Sequence, residues 1–472
     1  MSRTKKVILG VVLLVIAVPL GLVAWVYFTR GPEAPVPTIE ECQARLDALE
    51  QKYVPLPGPN DLDVWEAMAD LAEDLEEIDS QLWKPEDGEA ILKPDFTLVG
   101  KDLGSRPVEG EGDQSWRGQE LAERCINEYR NAGLIRRVDE VAFATRGTSR
   151  YVHDANSQFG MLDTSLPLLT KIRTLGRVNL ARARLAVKAG DLEEFTAAYT
   201  GTRHLARLVS TGVTSIERLV GLVLDNFSNQ MVATAFEHQV ESKWLDMIAR
   251  GMDYGTPSAP FGHVVEGLQI TFADAVARAY AGDKHNASHF VDSYSIVRGR
   301  KRLGTAGENV AEFSQYMAAL VAVQQVPRHE RANRVPDELA QLSAPARNST
   351  VDLFLLPYGK WLSTEDQLTQ EFAAVRLAIA IERFRIKAGH LPASLGELDP
   401  MVVVAAIDPW TGQTFKYRLA RPDDDMPVGY LIYSVGNDGL DNDGHDVRGK
   451  DRYKALYEGN KGTDFVVNRL GQ

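Results

Sequence analysis

The chain contains 472 residues, a length that exceeds one ordinary hydrophobic core and predicts two or three domains. Its apolar content of 44% is normal for a folded protein. The net charge of −13 argues against nucleic acid as a partner, because phosphate binding requires concentrated lysine and arginine. Cys42 and Cys125 are the only cysteines, too few for a thiolate metal site; they either form one disulfide in an oxidising compartment or remain free thiols.

Residues 1–30 are predicted to form a cytoplasmic N-terminus and a transmembrane anchor. Residues 7–28 contain no charge and are long enough to cross the hydrocarbon core as a helix. The basic residues Arg3, Lys5 and Lys6 precede this run and keep the short N-terminal side in the cytoplasm. A cleaved signal peptide is the alternative, but the run is longer than a typical signal-peptide core and no Ala-x-Ala site follows it. We therefore expect a single-pass inner-membrane protein whose bulk faces the periplasm.

Residues 31–118 are predicted to form a linker, two acidic helices and a long loop. Three prolines stiffen the chain directly after the anchor. Residues 38–52 and 63–82 have acidic, amphipathic patterns that are typical of surface helices. The stretch 84–115 is rich in glycine, proline and charge, which indicates a surface loop.

Residues 119–350 are predicted to form an irregular α-helical body. The segments 168–188 and 192–209 are amphipathic and are joined by Gly190-Asp191, which favours an antiparallel helical hairpin. The pattern resembles a single tetratricopeptide-type hairpin, but nothing comparable recurs about 34 residues later, so a repeat array is not expected. Further helices are predicted at residues 219–238, 244–252, 264–281 and around 310–323.

The helical body lacks the common catalytic motifs, such as a Gly-x-Ser-x-Gly elbow, a phosphate-binding glycine loop, His-Glu-x-x-His or Cys-x-x-Cys. His285 and His289 have helical spacing that suits a metal, but they follow Gly282 in a polar stretch that favours a solvated loop. The sequence identifies no catalytic residue, and we expect a non-enzymatic protein. The alternative is an envelope hydrolase whose acidic residues converge only in the folded body.

Residues 351–472 are predicted to form a small α+β domain that begins with a long helix. Ser363 and Asp366 have the spacing of a helix N-cap, and Gly389 would end the helix in the left-handed conformation. Between them apolar residues recur at helical spacing: Leu368, Phe372, Val375, Ile379 and Phe384.

Beyond this helix the pattern changes to turns and strands. Residues 394–398 predict one short turn, and Asp408 begins a second turn in which its own carboxylate accepts hydrogen bonds. Residues 415–419 and 430–433 alternate in polarity and predict two antiparallel strands. The polar stretch 421–425 connects them.

An acid-rich loop follows the second strand. It contains four aspartates within nine positions: Asp438, Asp441, Asp443 and Asp446. Glycines among and beside them allow the backbone to curl, and carboxylates so close resist joint ionisation unless a cation lies between them. Oxygen ligands on a flexible loop suit Ca²⁺. The loop is not an EF-hand, because alignment on Gly444 puts Gly439 at the first acidic position and Lys450 at the bidentate glutamate. The alternative is a solvated acidic turn.

Four short motifs occur in a fixed order in the last quarter of the chain. They are Gly389-His390-Leu391-Pro392, Asp408-Pro409-Trp410-x-Gly412, Phe415-x-Tyr417 and Tyr433-Ser434-x-Gly436-x-Asp438-Gly439. Together with the preceding helix and the acidic loop, they resemble the globular half of the major pseudopilins of type II secretion systems. The resemblance implies a long helix with a short antiparallel sheet and a loop that binds a structural calcium ion.

The resemblance also implies which oxygens hold the calcium. Asp438 would be a side-chain ligand, and Val435 would lend its carbonyl oxygen. Asp443 and Asp446 follow as later ligands, with Asp441 competing because the loop is shorter than in that family.

The chain departs from the pseudopilins at its N-terminal end. It does not start with a Gly-Phe-Thr-Leu-x-Glu sequence, and more than 330 residues separate residue 28 from the helix predicted at residue 363. We therefore do not expect assembly into a pilus-like filament by the usual route. The layout of anchor, helical body and pseudopilin-like tail is also similar to that of a group of membrane-anchored bacterial envelope proteins, which implies an envelope location.

These inferences predict a mainly α protein with one transmembrane helix, an irregular helical body and a small C-terminal α+β domain. Its expected function is structural: the body binds a protein partner in the envelope, and calcium orders the tail. A diverged component of a type II secretion system is a related interpretation.

Overall fold

A computed structural model describes the chain in twelve ranges. They are residues 36–53, 64–82, 119–143, 166–238, 241–252, 261–280, 304–346, 351, 358–424, 426–436, 439–445 and 464–468. None of the helices in these ranges is long and apolar enough to span a bilayer. The predicted anchor at residues 7–28, the loop at 84–115 and the histidine pair His285 and His289 lie outside them.

The described chain is mainly α-helical, as predicted, and has a small antiparallel sheet near the C-terminus, which contains three strands where two were predicted. Its α-helices are α1 (Ile39–Tyr53), α2 (Val64–Leu82), α3 (Gln119–Asn131), α4 (Leu134–Ala142), α5 (Leu166–Ala189), α6 (Leu192–Val209), α7 (Ser215–Glu237), α8 (Ser242–Met252), α9 (Phe261–Tyr280), α10 (Ala306–Gln324), α11 (Arg331–Arg334), α12 (Pro336–Ser343), α13 (Tyr358–Ala388) and α14 (Pro400–Ala405). The strands are β1 (Lys416–Leu419), β2 (Tyr430–Ser434) and β3 (Phe465–Val466).

The predicted helical hairpin is confirmed and consists of α5 and α6. Gly190 has a φ of 70°, which a glycine adopts without the strain of a Cβ atom. The Asp191 carboxylate accepts the backbone N–H of Glu194 and caps α6. Helix α7 packs on both members of the hairpin and begins with a capping box formed by Thr214 and Glu217.

The long C-terminal helix ends where the sequence predicts but begins earlier. Gly389 has a φ of 78° and follows the last residue of α13. The predicted N-cap at Ser363 and Asp366 is wrong, because α13 begins at Tyr358 and both residues lie inside it. Asp366 accepts two hydrogen bonds from the guanidinium of Arg331, at 2.6 and 2.9 Å, and this long-range pair replaces a capping role.

The sheet has the strand order β1-β2-β3 with antiparallel pairing throughout. Lys416 pairs with Tyr433 and Leu419 with Tyr430, so the two predicted strands are confirmed. Strand β3 and helix α14 were not predicted. All five residues of β2 are buried, which makes it the central strand in packing as well as in order.

The C-terminal helix and sheet share a hydrophobic core with the helical body. One cluster combines side chains of α6, α8, α13 and β2, among them Phe195, Trp244, Leu377, Ile381, Tyr430 and Ile432. In the predicted apolar stripe of α13, Leu368, Val375 and Ile379 are buried, while Phe372 and Phe384 are partly buried. Burial of these apolar surfaces therefore holds the tail against the body.

Ion pairs bridge α6, α7 and α13 inside this interface. The guanidinium of Arg203 binds Asp225 at 2.9 Å and lies 4.3 Å from the ring centre of Phe372. Arg218 binds Glu365 of α13 at 2.9 Å. Because these charged groups are buried or nearly buried, loss of one partner would leave the other without compensation.

We expect the stability of the protein to fall between pH 5 and pH 8 because of Asp225. Burial raises the pKa of Asp225 to about 7, against the opposing effect of Arg203 and Arg218. Because the folded protein binds this proton more tightly than the unfolded chain does, protonated Asp225 stabilises the fold at low pH, and this stabilisation is lost as the pH rises through the folded pKa. The free energy of unfolding should fall by about 2 to 3 kcal/mol over this pH range. Urea unfolding at both pH values, with Asp225→Asn as the comparison, measures it; an equal pH dependence in the two proteins would contradict the assignment.

The two cysteines do not form a disulfide in the structure. Cys42 is buried beside Leu46 and Ile270, and Cys125 is buried in a different cluster formed around α3. Burial raises the pKa of Cys42 to about 11, which keeps the thiol protonated and unreactive at neutral pH. Of the two alternatives, the structure therefore contains two thiols and not a disulfide.

Candidate functional site

The acidic loop leaves the end of β2 and curls back beneath the sheet. Its described residues are Val435, Gly436 and 439–445; the predicted ligands Asp438 and Asp446 lie outside the described chain. Gly436, Gly439 and Gly444 have positive φ, and Asp443 shares this conformation with a φ of 59°. The curl predicted from the glycine content is thus present in this part of the loop.

Asp441 is held by groups of β1, β2 and its own loop. Its carboxylate accepts the Tyr433 hydroxyl at 3.2 Å and the backbone N–H of Asp443 at 3.0 Å. The ammonium of Lys416 lies 3.5 Å from its second oxygen. One predicted ligand therefore already faces a cation supplied by β1.

Asp443 faces two arginines. Its carboxylate pairs with Arg421, and one oxygen lies 3.4 Å from the Nε of Arg418. The backbone carbonyl of Asp443 accepts the same Nε–H at 2.7 Å. Arg418 also forms two hydrogen bonds to Asp424, at 2.6 and 2.8 Å, and these hold the pKa of Asp424 down to about 2. Arg418 thus joins the β1–β2 turn to the acidic loop.

Asp464 belongs to this site, although the sequence analysis did not select it. Its carboxylate accepts the backbone N–H groups of Gly444 at 2.7 Å and Asn442 at 3.0 Å. Its own backbone N–H donates to the carbonyl of His445 at 2.6 Å. These bonds tie the acidic loop to the start of β3. The sequence does contain one indication of this role: Asp464 directly precedes the apolar residues Phe465-Val466, and an acid beside a buried segment needs hydrogen-bond donors.

The acidic side chains of the loop act on their titratable neighbours. Burial raises the pKa of the Tyr433 hydroxyl far above its usual range, and the charges of Asp441, Asp443 and Asp464 raise it further. Burial also raises the pKa of Asp464, with the charge of Asp441 as a smaller cause. Asp441, Asp443 and Asp464 therefore lie close enough to Tyr433 for their charges to act on its hydroxyl.

The described residues have the oxygen ligands that calcium needs, but their side chains are not arranged around a common point. Carboxylate and carbonyl oxygens are the ligands that Ca²⁺ prefers. Asp441 and Asp443, however, point towards Lys416, Arg418 and Arg421. Within the described ranges, no three His, Cys, Asp or Glu side chains are gathered to hold a metal. Calcium binding remains a prediction that depends on the whole ligand set.

The turn at Asp408 brings two of the quoted motifs together. The buried Asp408 carboxylate accepts the backbone N–H of Trp410 at 3.1 Å and the Thr411 hydroxyl at 3.1 Å, as the predicted turn requires. It also accepts the Ser434 hydroxyl at 2.7 Å and the Gln370 amide at 3.3 Å. Burial raises the pKa of Asp408. Asp408 therefore connects α13, its own turn and the end of β2, where the acidic loop begins.

The same turn docks on the helical body. The guanidinium of Arg328 lies 3.6 Å from the ring centre of Trp410, a cation–π arrangement. The backbone N–H of His329 donates to the carbonyl of Pro409 at 3.1 Å. The His329 ring leaves no room for a side chain at Gly412, which has a φ of 69°. These contacts explain why a glycine occupies this end of the turn.

The described fold and site define a mainly α-helical protein with a small antiparallel sheet and an acidic loop at its edge. Comparison with known proteins adds no family to this description: no family model matches the chain, and neither a curated protein nor a solved structure matches it.

Proposed function

We propose that this is a membrane-anchored, extracytoplasmic structural protein whose acidic loop binds calcium and whose helical body binds a protein partner in the envelope. One observation carries the calcium part of the proposal. Asp464 ties the backbone of Asn442 and Gly444 to β3, so Asp441 and Asp443 are presented together at one end of the sheet. Oxygen-rich loops of this kind suit hard divalent cations.

The predicted calcium ligands are the carbonyl oxygen of Val435 and the carboxylates of Asp438, Asp441, Asp443 and Asp446. When bound, calcium neutralises the carboxylates and stabilises the folded loop by mass action, because the unfolded chain has no formed site. No chemical step is assigned to the ion. Its role in this proposal is to order the surface that the tail presents.

Two further features support an interaction role at a membrane. The uncharged run at residues 7–28 supplies the tether. Helix α14 exposes Met401 and Val404, and Ile407 follows on the surface. Adjacent exposed apolar side chains of this kind occur at protein interaction sites. A relation to type II secretion is part of the proposal and is supported by the contact between Asp408 and Ser434, which joins two of the quoted motifs.

Calcium removal is expected to lower the melting temperature of the purified full-length chain by several degrees. Asp438→Ala should abolish this effect of the chelator, because it removes the proposed first ligand. Asp423→Ala, which removes an exposed acid outside the loop, is the matched control and should keep the wild-type response. Differential scanning calorimetry with calcium and with a chelator tests all three proteins. Identical melting of the wild type in both conditions would refute the calcium role.

A further inference from the structure

Strand β1 faces the acidic loop with basic side chains. Lys416 and Arg418 are two positions apart on β1 and therefore lie on one face of the strand. Arg421 follows at the end of the strand. Lys416 pairs with Asp441, and the two arginines pair with Asp443.

The three cations differ in how firmly they are held. Arg418 is only 15% exposed and is fixed by its two bonds to Asp424 and its bond to the Asp443 carbonyl. The side chains of Lys416 and Arg421 are 48% and 58% exposed. Each forms an ion pair with the loop at a solvated surface, where such pairs are weak and exchange readily with water. Arg418 is therefore part of the framework, whereas Lys416 and Arg421 are free to leave.

We propose that Lys416 and Arg421 are built-in counter-ions of the acidic loop, which hold Asp441 and Asp443 in the metal-free protein and which a divalent cation displaces. The displacement rests on the proposed calcium function. The pairing itself rests on the observed contacts of Lys416 with Asp441 and of Arg421 with Asp443. The ligand class is a hard divalent cation that needs carboxylate oxygens, with calcium as the probe.

Removal of one of these positive charges should change calcium affinity and metal-free stability in opposite directions. Removal of a positive charge beside the site strengthens calcium binding, because calcium no longer has to displace a basic side chain from the carboxylate. Removal of the same charge weakens the metal-free loop, because the carboxylates then repel one another without compensation. A residue with a merely structural role would weaken both states. The opposite signs therefore identify a counter-ion.

The experiment compares the full-length wild type with Lys416→Gln, Arg421→Gln and the double variant. Titration calorimetry should give a calcium Kd that falls about fourfold for each removed charge and roughly 16-fold for both, which matches a divalent ion and a unit charge about 10 Å apart in a water-like dielectric. The metal-free melting temperature should fall, most in the double variant. Arg136→Gln is the matched control, because Arg136 forms an exposed ion pair with Glu140 far along the chain from the loop. Neither quantity should change in it.

The outcomes separate this proposal from the proposed function. If the wild type binds calcium and the double variant binds it with an equal or weaker Kd, the counter-ion proposal is overturned and the calcium function stands. If no protein binds calcium, the proposed function is overturned together with the displacement. In that case a lower metal-free melting temperature of the double variant alone still supports the pairing, and equal melting of all proteins overturns it as well.

Discussion

Gly267→Ala is expected to lower the free energy of unfolding by more than about 3 kcal/mol. Gly267 lies in the middle of α9, where a Cβ atom would overlap the backbone carbonyl oxygen of Val213. Val213 belongs to the tight connection between α6 and α7, and its neighbour Thr211 also contacts α9 through the ring of His263 at 3.2 Å. Because the overlapping atom is backbone, relief requires that α9 or this connection moves.

Gly262→Ala is the control for this prediction. Gly262 lies in the same helix, and among the described residues no atom outside its chain neighbours and the adjacent helix backbone lies within 4 Å of the position that its Cβ would occupy. Alanine also has the higher helix propensity, so this substitution should change the stability by less than about 1 kcal/mol, towards greater stability. Chemical denaturation monitored by circular dichroism measures both variants. Similar midpoints for the two would show that α9 does not pack on Val213 as described.

Arg331→Ala is expected to destabilise the protein by about 3 to 5 kcal/mol, the usual result of removing one member of a buried ion pair. The guanidinium of Arg331 binds both oxygens of Asp366 and also the carbonyl of Val326 at 3.0 Å. Both charged side chains are almost completely buried. Without Arg331, Asp366 keeps the hydrogen bond from Arg328 at 3.2 Å but loses its two shorter ones.

Arg383→Ala provides the matched comparison, because Arg383 also pairs with an aspartate from another helix. Its partner is Asp246 at 2.6 Å, but both side chains are about half exposed. Solvent screens this pair, so its loss should cost less than about 1 kcal/mol. Urea unfolding at one pH compares the two variants. If the two variants lose the same free energy of unfolding, Arg331 and Asp366 do not form the buried pair that the structure describes.

The position of the acidic loop explains why the proposed calcium ion should affect the whole protein. Tyr430 and Ile432 of β2 belong to the core shared with the helical body. Leu431 and Tyr433 point to the other side, where they pack with Val466 of β3. The loop covers this second side and reaches β2 through the bond from Tyr433 to Asp441. Disorder of the loop would expose one face of the central strand, so chelation is expected to lower a melting transition that includes the body.

Local features of the fold could be predicted from the sequence. The helix predicted at residues 192–209 has the bounds of α6, because its apolar spacing, its capping Asp191 and the turn at Gly190 all lie within a few residues. The end of α13 at Gly389, the turn at Asp408 and the pairing of β1 with β2 were predicted for the same reason. In each case the residues that determine the structure are close in sequence.

The tertiary structure decided the features that depend on distant partners. The sequence by itself determined a helical protein with an acidic loop after its second strand, because periodicity, turn residues and charge density are local properties. Only the fold placed Arg331 against Asp366 and so removed Asp366 from the predicted cap. Only the fold brought Asp464, Lys416 of β1 and Arg421 of the following turn to the acidic loop. A charged side chain pairs with the partner that the packing of distant segments brings within a few ångströms, and that choice is not encoded in the spacing around the residue itself.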